Sequence, residues 1–250
     1  MPGRTATQYR PTVFSRAVAP EQDGPDDETL ACVVSGDGRL RGGAVLKFFY
    51  GPMGAGKSTL ALQLDHNHAR QGRAGLVVTR LDRAGPGWIS SRIGIGRAAV
   101  EITDDTDLRT LVRDTWADGG RVDYLICDEV HFYTEAHIEQ LAELVDGSDV
   151  DVYAFGLATD FRTRQFPAAT RLFELSDELV RLQVEVLCWC GRAGLLNARV
   201  EDGVVARAGA QFVVGDTAPA DVRYQELCRR HHRNGDLGPA ANLAGQLRLV

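Results

Sequence analysis

Short apolar runs alternate, along the middle of the chain, with stretches whose apolar residues recur at helical spacing. Val45–Tyr50, Leu76–Thr79, Tyr124–Cys127 and Val150–Phe155 have the length and composition of buried strands. Between them the pattern predicts helices over Lys57 to about Gln71, Leu108–Ala117 and about Glu135–Leu144. Such alternation signals a parallel sheet with crossover helices. Arg80–Arg97, with its Gly/Pro cluster and Ser90-Ser-Arg-Ile-Gly94, reads as a mobile loop. Beyond Leu187 the pattern changes, and short β-prone runs (Val204–Ala206, Gln211–Val214) sit between cysteine pairs. The expected organisation is an α/β core over 45–186, a small module over 187–232 and a loosely ordered tail over 233–250. Residues 1–44 carry no sustained apolar period and read as a disordered extension.

Composition narrows the function classes. The chain has 250 residues, room for one full α/β domain and a small appendage. A net charge of −6 argues against a large nucleic-acid footprint, which needs a basic face. No apolar run approaches the roughly 18 residues of a membrane span, and residues 1–20 lack a signal-peptide core. The five cysteines do not form a disulfide-framework pattern, and a reducing cytoplasm suits them. Cys127, ending an apolar strand, reads as a buried core thiol.

Three constellations carry chemistry. Gly51-Pro52-Met53-Gly54-Ala55-Gly56-Lys57-Ser58 follows the first strand and opens the first helix, fitting G-x4-G-K-S. Its glycines let successive N–H groups curl around one anion, and the helix start adds partial positive charge. Lys57 can reach the β/γ-phosphates of a nucleoside triphosphate, and Ser58 offers a hydroxyl to Mg²⁺. Arginine supplies nearly all the cationic side chains, and Lys47 and Lys57 are the only lysines, so a lysine at this position stands out. Next, Asp128-Glu129 ends the strand Tyr124–Cys127, where a doubly wound sheet places its ligands. Asp128 is placed to hold Mg²⁺, and Glu129 to act as general base toward an attacking hydroxyl. Third, Cys188, Cys190, Cys228 and His231 have the composition of a closed, structural zinc site, with Gly191 supplying the knuckle turn. His232 competes as fourth ligand, but the spacing favours His231. The fold class expected is therefore α/β, a P-loop NTPase-type parallel sheet with flanking helices plus a small C-terminal zinc-binding module.

Glu129 would equally polarise water, so the acidic pair alone separates neither a kinase from an ATPase. One alternative is a P-loop ATPase whose zinc ribbon binds nucleic acid through Arg192, Arg199, Arg207, Arg229 and Arg230. The overall acidity and the lack of a motor-sized second domain count against it. A non-catalytic nucleotide-binding regulator would have no need of Lys57, Ser58, Asp128 and Glu129 together.

The order G-P-M-x-x-G-K-S, D-E-x-x-F, G-L-x-x-D-F-R and a zinc-tied loop resembles the type II (zinc-containing, cytosolic-type) thymidine kinase family over about residues 45–232. The resemblance implies ATP-dependent phosphorylation of the 5′-hydroxyl of thymidine, on a P-loop core with a lasso-shaped loop carried by the zinc module. It implies that Gly51–Ser58 and Asp128-Glu129-Val130-His131 bind ATP, and that Glu129 accepts the proton. By the same likeness Phe161 meets the thymine base. Gln211, Phe212, Val213, Val214 and Gly215 form the lasso that reads the base edge, Tyr224, four residues before the third zinc ligand, joins in binding substrate, and Asp82-Arg83 lies near the sugar and phosphate. It further implies inhibition by thymidine triphosphate and a homotetramer. Three positions depart from the pattern. His131 replaces a common Gln and is expected to bring pH sensitivity. Ala55 replaces a frequent Ser, with little expected effect. The 1–44 extension has no counterpart, and Val45 lies where such chains usually begin, so an upstream-assigned start is expected.

Overall fold

The computed structural model describes residues 43–81, 85, 87–182, 185–211 and 222–239. Most of the 1–44 extension, Asp82-Arg83, the lasso residues Phe212–Gly215 and the end of the tail lie outside these.

Six parallel strands form the main sheet: β1 (Leu46–Tyr50), β2 (Gly75–Thr79), β5 (Val100–Glu101), β6 (Tyr124–Cys127), β7 (Asp151–Gly156) and β8 (Glu178–Arg181). Their order is β5-β2-β6-β7-β1-β8, which puts β1, the strand that feeds the glycine-rich loop, inside the sheet. Strict side-chain alternation then divides the core in two. Phe48, Leu125, Cys127, Val152 and Ala154 face α2 (Leu108–Ala117), α3 (Glu135–Ser148) and α4 (Pro167–Leu175), meeting Val112, Leu141 and Leu172. Phe49, Ile126, Tyr153 and Phe155 face the other way, onto Ala61 and Leu62 of α1 (Lys57–Arg70). Phe49 and Phe155 lie opposite each other in register with rings stacked at 4.7 Å. Both faces being covered, β6 is buried throughout, which is why it reads as an unbroken apolar run. Cys127 sits in this core, and burial pushes its thiol pKa up.

The helices flanking the main sheet begin as their sequences dictate, with one exception. Asp107 caps α2 by accepting from the N–H groups of Arg109 and Thr110. Thr134 and His137 form a reciprocal capping box on α3, and Pro167 opens α4. In contrast, α1 is entered through Gly56 in the left-handed conformation, with no side-chain cap and no acid in its first turn. Its leading N–H groups are left to face whatever lies in front of the loop.

A second, three-stranded antiparallel sheet combines β9 (Leu196–Glu201), β10 (Val204–Val205) and β11 (Arg223–Leu227), followed by α5 (Arg229–Asn234). Its core is Cys188, Ala198, Val200, Val205, Leu227, Cys228 and Leu237. A cluster this small needs a further tie to stay folded.

The structure departs from the sequence reading in several places. Within Arg80–Arg97, expected to be a mobile loop, β3 (Trp88–Ser90) and β4 (Gly96–Ala98) pair as an antiparallel hairpin. Ile89 is buried in the sheet core, and Arg97 forms an ion pair with the buried Asp65 of α1. Three-residue strands, one of them opening on Gly96, leave too little period to read. Residues 233–239, expected to be loose, finish α5 and bury Leu237. No helix among the described residues is long and apolar enough to cross a membrane.

Candidate active site and metal cluster

At the carboxyl ends of β1, β6 and β7 lies a cleft of about 290 Å3, walled by the loop Met53–Thr59, by Glu129, His131 and Phe132, by Leu157 and by Ser90–Ile93. Gly54 and Gly56 both have positive φ, 74° and 77°, the conformation the tight loop requires of them. Lys57 is buried, and its Nζ donates to the carbonyls of Pro52 (3.0 Å) and Gly51 (3.4 Å). Burial lowers its pKa, while Glu129 and Asp128 oppose that by favouring the cation. Ser58 lines the same wall. Ala55 is fully buried and its N–H bonds Pro52 O at 3.3 Å, so a methyl side chain suits it.

The acidic pair occupies the break between β6 and a single 3-10 turn, Val130–Phe132. Asp128 is fully buried, continues the sheet through its N–H to Val78 O, and accepts from the Glu129 N–H at 3.0 Å. Glu129 adopts φ 52°, ψ 35°, a left-handed conformation that costs a non-glycine residue about 1–2 kcal/mol. This reversal turns its carboxylate to the cleft, where its side chain is 29% exposed. Close packing enforces the turn: a Cβ on Gly156 would stand 2.7 Å from Val130 Cγ2.

His131 does not behave as its sequence position suggested. It is buried against Phe132 and Phe166, with centroids at 4.0 and 4.8 Å. The Leu157 N–H points at Nδ1 (3.3 Å), which must therefore present a lone pair and place the proton on Nε2. The 3.4 Å approach of Glu129 Oε2 to the same nitrogen is thus no ion pair. Burial, with Lys57 nearby, holds the His131 pKa well below the ordinary histidine range. The expected pH sensitivity gives way to a neutral ring near pH 7. It reappears in stability: in acid the unfolded chain binds a proton that the folded one refuses, so stability falls as pH drops below the unfolded value. His131→Gln should flatten the fall in melting temperature below about pH 6.5, measured by calorimetry across pH 5–8.

Among the described residues, Phe161, Tyr224 and the approach to Gln211 meet around one residue that the sequence reading did not select for that role. Arg199, on β9 and buried, lays its guanidinium 3.9 Å from the Phe161 ring centroid and pairs with Glu201. It also bonds the carbonyls of Ala210 (2.8 Å) and Ala208 (3.2 Å), holding the approach to Gln211. Tyr224 stands opposite Arg199 in the strand register. Phe161 itself is only 2% exposed, and the apolar part of the cleft wall includes Phe132 and Leu157. Both lie in motifs legible in the sequence, D-E-x-x-F and G-L-x-x-D-F-R, but their roles needed the fold.

Cys188, Cys190, Cys228 and His231 converge, with ligand atoms within 4.8 Å of one another. Cys190 and Cys228 sulfurs are 4.0 Å apart, and Cys188 Sγ lies 3.3 Å from His231 Nδ1. Zinc bonds of about 2.3 Å to sulfur and 2.0 Å to nitrogen at tetrahedral angles imply edges of roughly 3.5–3.8 Å, so this donor set fits such an ion. A knuckle turn bonds Cys188 N to Arg192 O and Gly191 N to Cys188 O, with Gly191 at φ 78°. Trp189 stacks on His231 at 4.3 Å, and the Asp236 carboxylate lies 3.9 Å from Nε2, beyond hydrogen-bond distance. His232, the competing ligand, is occupied elsewhere, with Nε2 2.9 Å from Phe161 O.

With this geometry in place, comparison with known proteins is specific. The family model described as thymidine kinase matches residues 44–232. The thymidine kinase of Streptomyces coelicolor is 54% identical over 190 residues, covering 75% of this chain and 88% of that protein. That of Cutibacterium acnes is 50% identical over 196 residues (78% and 91%), and that of Rhizobium etli 38% over 191 (75% and 92%).

Proposed function

The chain belongs to the thymidine kinase family, and from that premise we propose that it transfers the γ-phosphoryl group of ATP to the 5′-hydroxyl of thymidine, giving thymidine monophosphate and ADP. The observation that carries this reading is a carboxylate, Glu129, turned by its left-handed backbone into the cleft that Lys57 and Ser58 also line.

In this reading the N–H groups of the glycine-rich loop and Lys57 bind the triphosphate. Ser58 and Asp128 would hold Mg²⁺, which when bound offsets charge on the phosphate oxygens. Glu129 takes the proton from the sugar hydroxyl as that oxygen attacks, and the neutral His131 leaves its charge undiminished. Phe132 and Leu157 give the nucleoside an apolar wall, and Arg199 sets Phe161, Tyr224 and the start of the lasso around it. The Cys3His cluster would hold zinc as a structural ion, tying the ends of 191–227. The likeness to the type II family extends the proposal to deoxynucleoside salvage in the cytoplasm, a homotetramer, a core and lasso-module division near residue 187, and inhibition by thymidine triphosphate.

The test is ADP release from Mg-ATP across a panel of nucleosides. Release that rises with thymidine supports the proposal. Release indifferent to every nucleoside but stimulated by DNA or RNA would favour an ATPase.

A further inference from the structure

The glycine-rich loop is held from outside its own sheet. Pro52 has no N–H, so the first loop donor after Gly51 is Met53, and its N–H goes to Asn197 Oδ1 at 2.8 Å. Asn197 is 4% exposed, lies on β9, and is 144 positions away in sequence. Its register partner across the small sheet is Glu226 of β11. That carboxylate also addresses the loop: Glu226 Oε1 lies 3.5 Å from where a Cβ on Gly54 would stand. Its charge favours the cationic form of Lys57, which places it within electrostatic reach of the phosphate-binding lysine. One cross-strand pair thus meets the loop with a neutral acceptor and a negative charge.

We infer that Asn197 is a positioning residue for the phosphate loop, and that Glu226 beside it weakens ATP binding through its charge. This deepens the functional reading above and rests on it only for the identity of the nucleotide. Fixing the Met53 N–H fixes the turn that aims the donors of Gly54 to Ser58. Without the acceptor, that N–H would be left partly buried and unsatisfied, and the loop would sample other conformations. Glu226, by contrast, is a half-buried charge against the loop that would carry a triphosphate, and repulsion at that range is only partly screened.

The two residues therefore act in opposite directions, an outcome that damage to the module would not produce. In the full-length, metal-loaded protein, Asn197→Leu should weaken binding of a fluorescent ATP analogue about tenfold. The KM for ATP should rise likewise, while the KM for thymidine and the metal content stay near wild type. Glu226→Gln should tighten binding of the analogue about threefold. Val200→Ala, which trims the module core away from the loop, should leave ATP affinity unchanged. Unaltered analogue binding by Asn197→Leu would overturn the inference. So would weaker or unchanged binding by Glu226→Gln, which still decides the matter should Asn197→Leu fail to fold. A parallel rise in both KM values would make Asn197 merely structural. The binding assay needs no phosphoryl transfer, so a protein that ignores thymidine sinks the functional proposal and leaves this test intact.

Discussion

Glu129→Gln should lower kcat by two or more orders of magnitude while leaving affinity for ATP within about twofold. The amide keeps the size and hydrogen-bonding reach of the carboxylate but cannot accept a proton at neutral pH. The backbone supports the choice of residue. Glu129 alone of the acidic pair is turned into the cleft, whereas Asp128 is fully buried and bonded to the Glu129 N–H. Retaining a left-handed glutamate against its conformational cost is what a functional position would show. Single-turnover phosphoryl transfer, run alongside equilibrium nucleotide binding, separates the chemical step from binding. Near-normal transfer would remove Glu129 from the base role.

Cys228→Ser should abolish stoichiometric metal binding, open residues 191–227 to proteolysis and raise the KM for thymidine tenfold or more. Cys228 follows β11 directly and starts α5, so an ion held by the cluster would tie both to the knuckle at Cys188–Gly191. The seven-residue core of this sheet includes two of the ligands themselves. Loss of an ion held there would therefore remove tether and core together, since metal binding and folding are coupled in units of this kind. The same strands carry Arg199 and Tyr224, so loss of order should reach the nucleoside before the main sheet. Metal analysis, limited proteolysis and steady-state kinetics check the three parts. A metal-free variant with wild-type thymidine affinity would refute the tethering role.

Much of this was legible in the chain because the physics was local. The strands β1, β6 and β7 are buried on both faces and so read as apolar runs. The loop motif, the acidic pair and the Cys/His spacing each carry their chemistry in adjacent residues. Apart from the short β3–β4 hairpin, what escaped was non-local. The edge strand β8 is mostly exposed, and its polar sequence, ELVR, carries no strand pattern without β1 beside it. The strands β9 and β11 pair across more than twenty intervening residues, and their mixed composition hides them. Asn197 and Arg199 sit in an unremarkable stretch, and their importance exists only once the module folds against Met53 and Phe161. His131 shows the converse: its residue type suggested a titrating group, and burial with an incoming N–H made it neutral.

The most direct test of the central claim is to incubate the full-length, metal-loaded protein with Mg-ATP labelled at the γ-phosphate, with and without thymidine, and identify the labelled product. Label recovered as thymidine 5′-monophosphate, in amounts equal to the ADP formed, is the predicted result. Label recovered only as inorganic phosphate, whether or not thymidine is present, would contradict it.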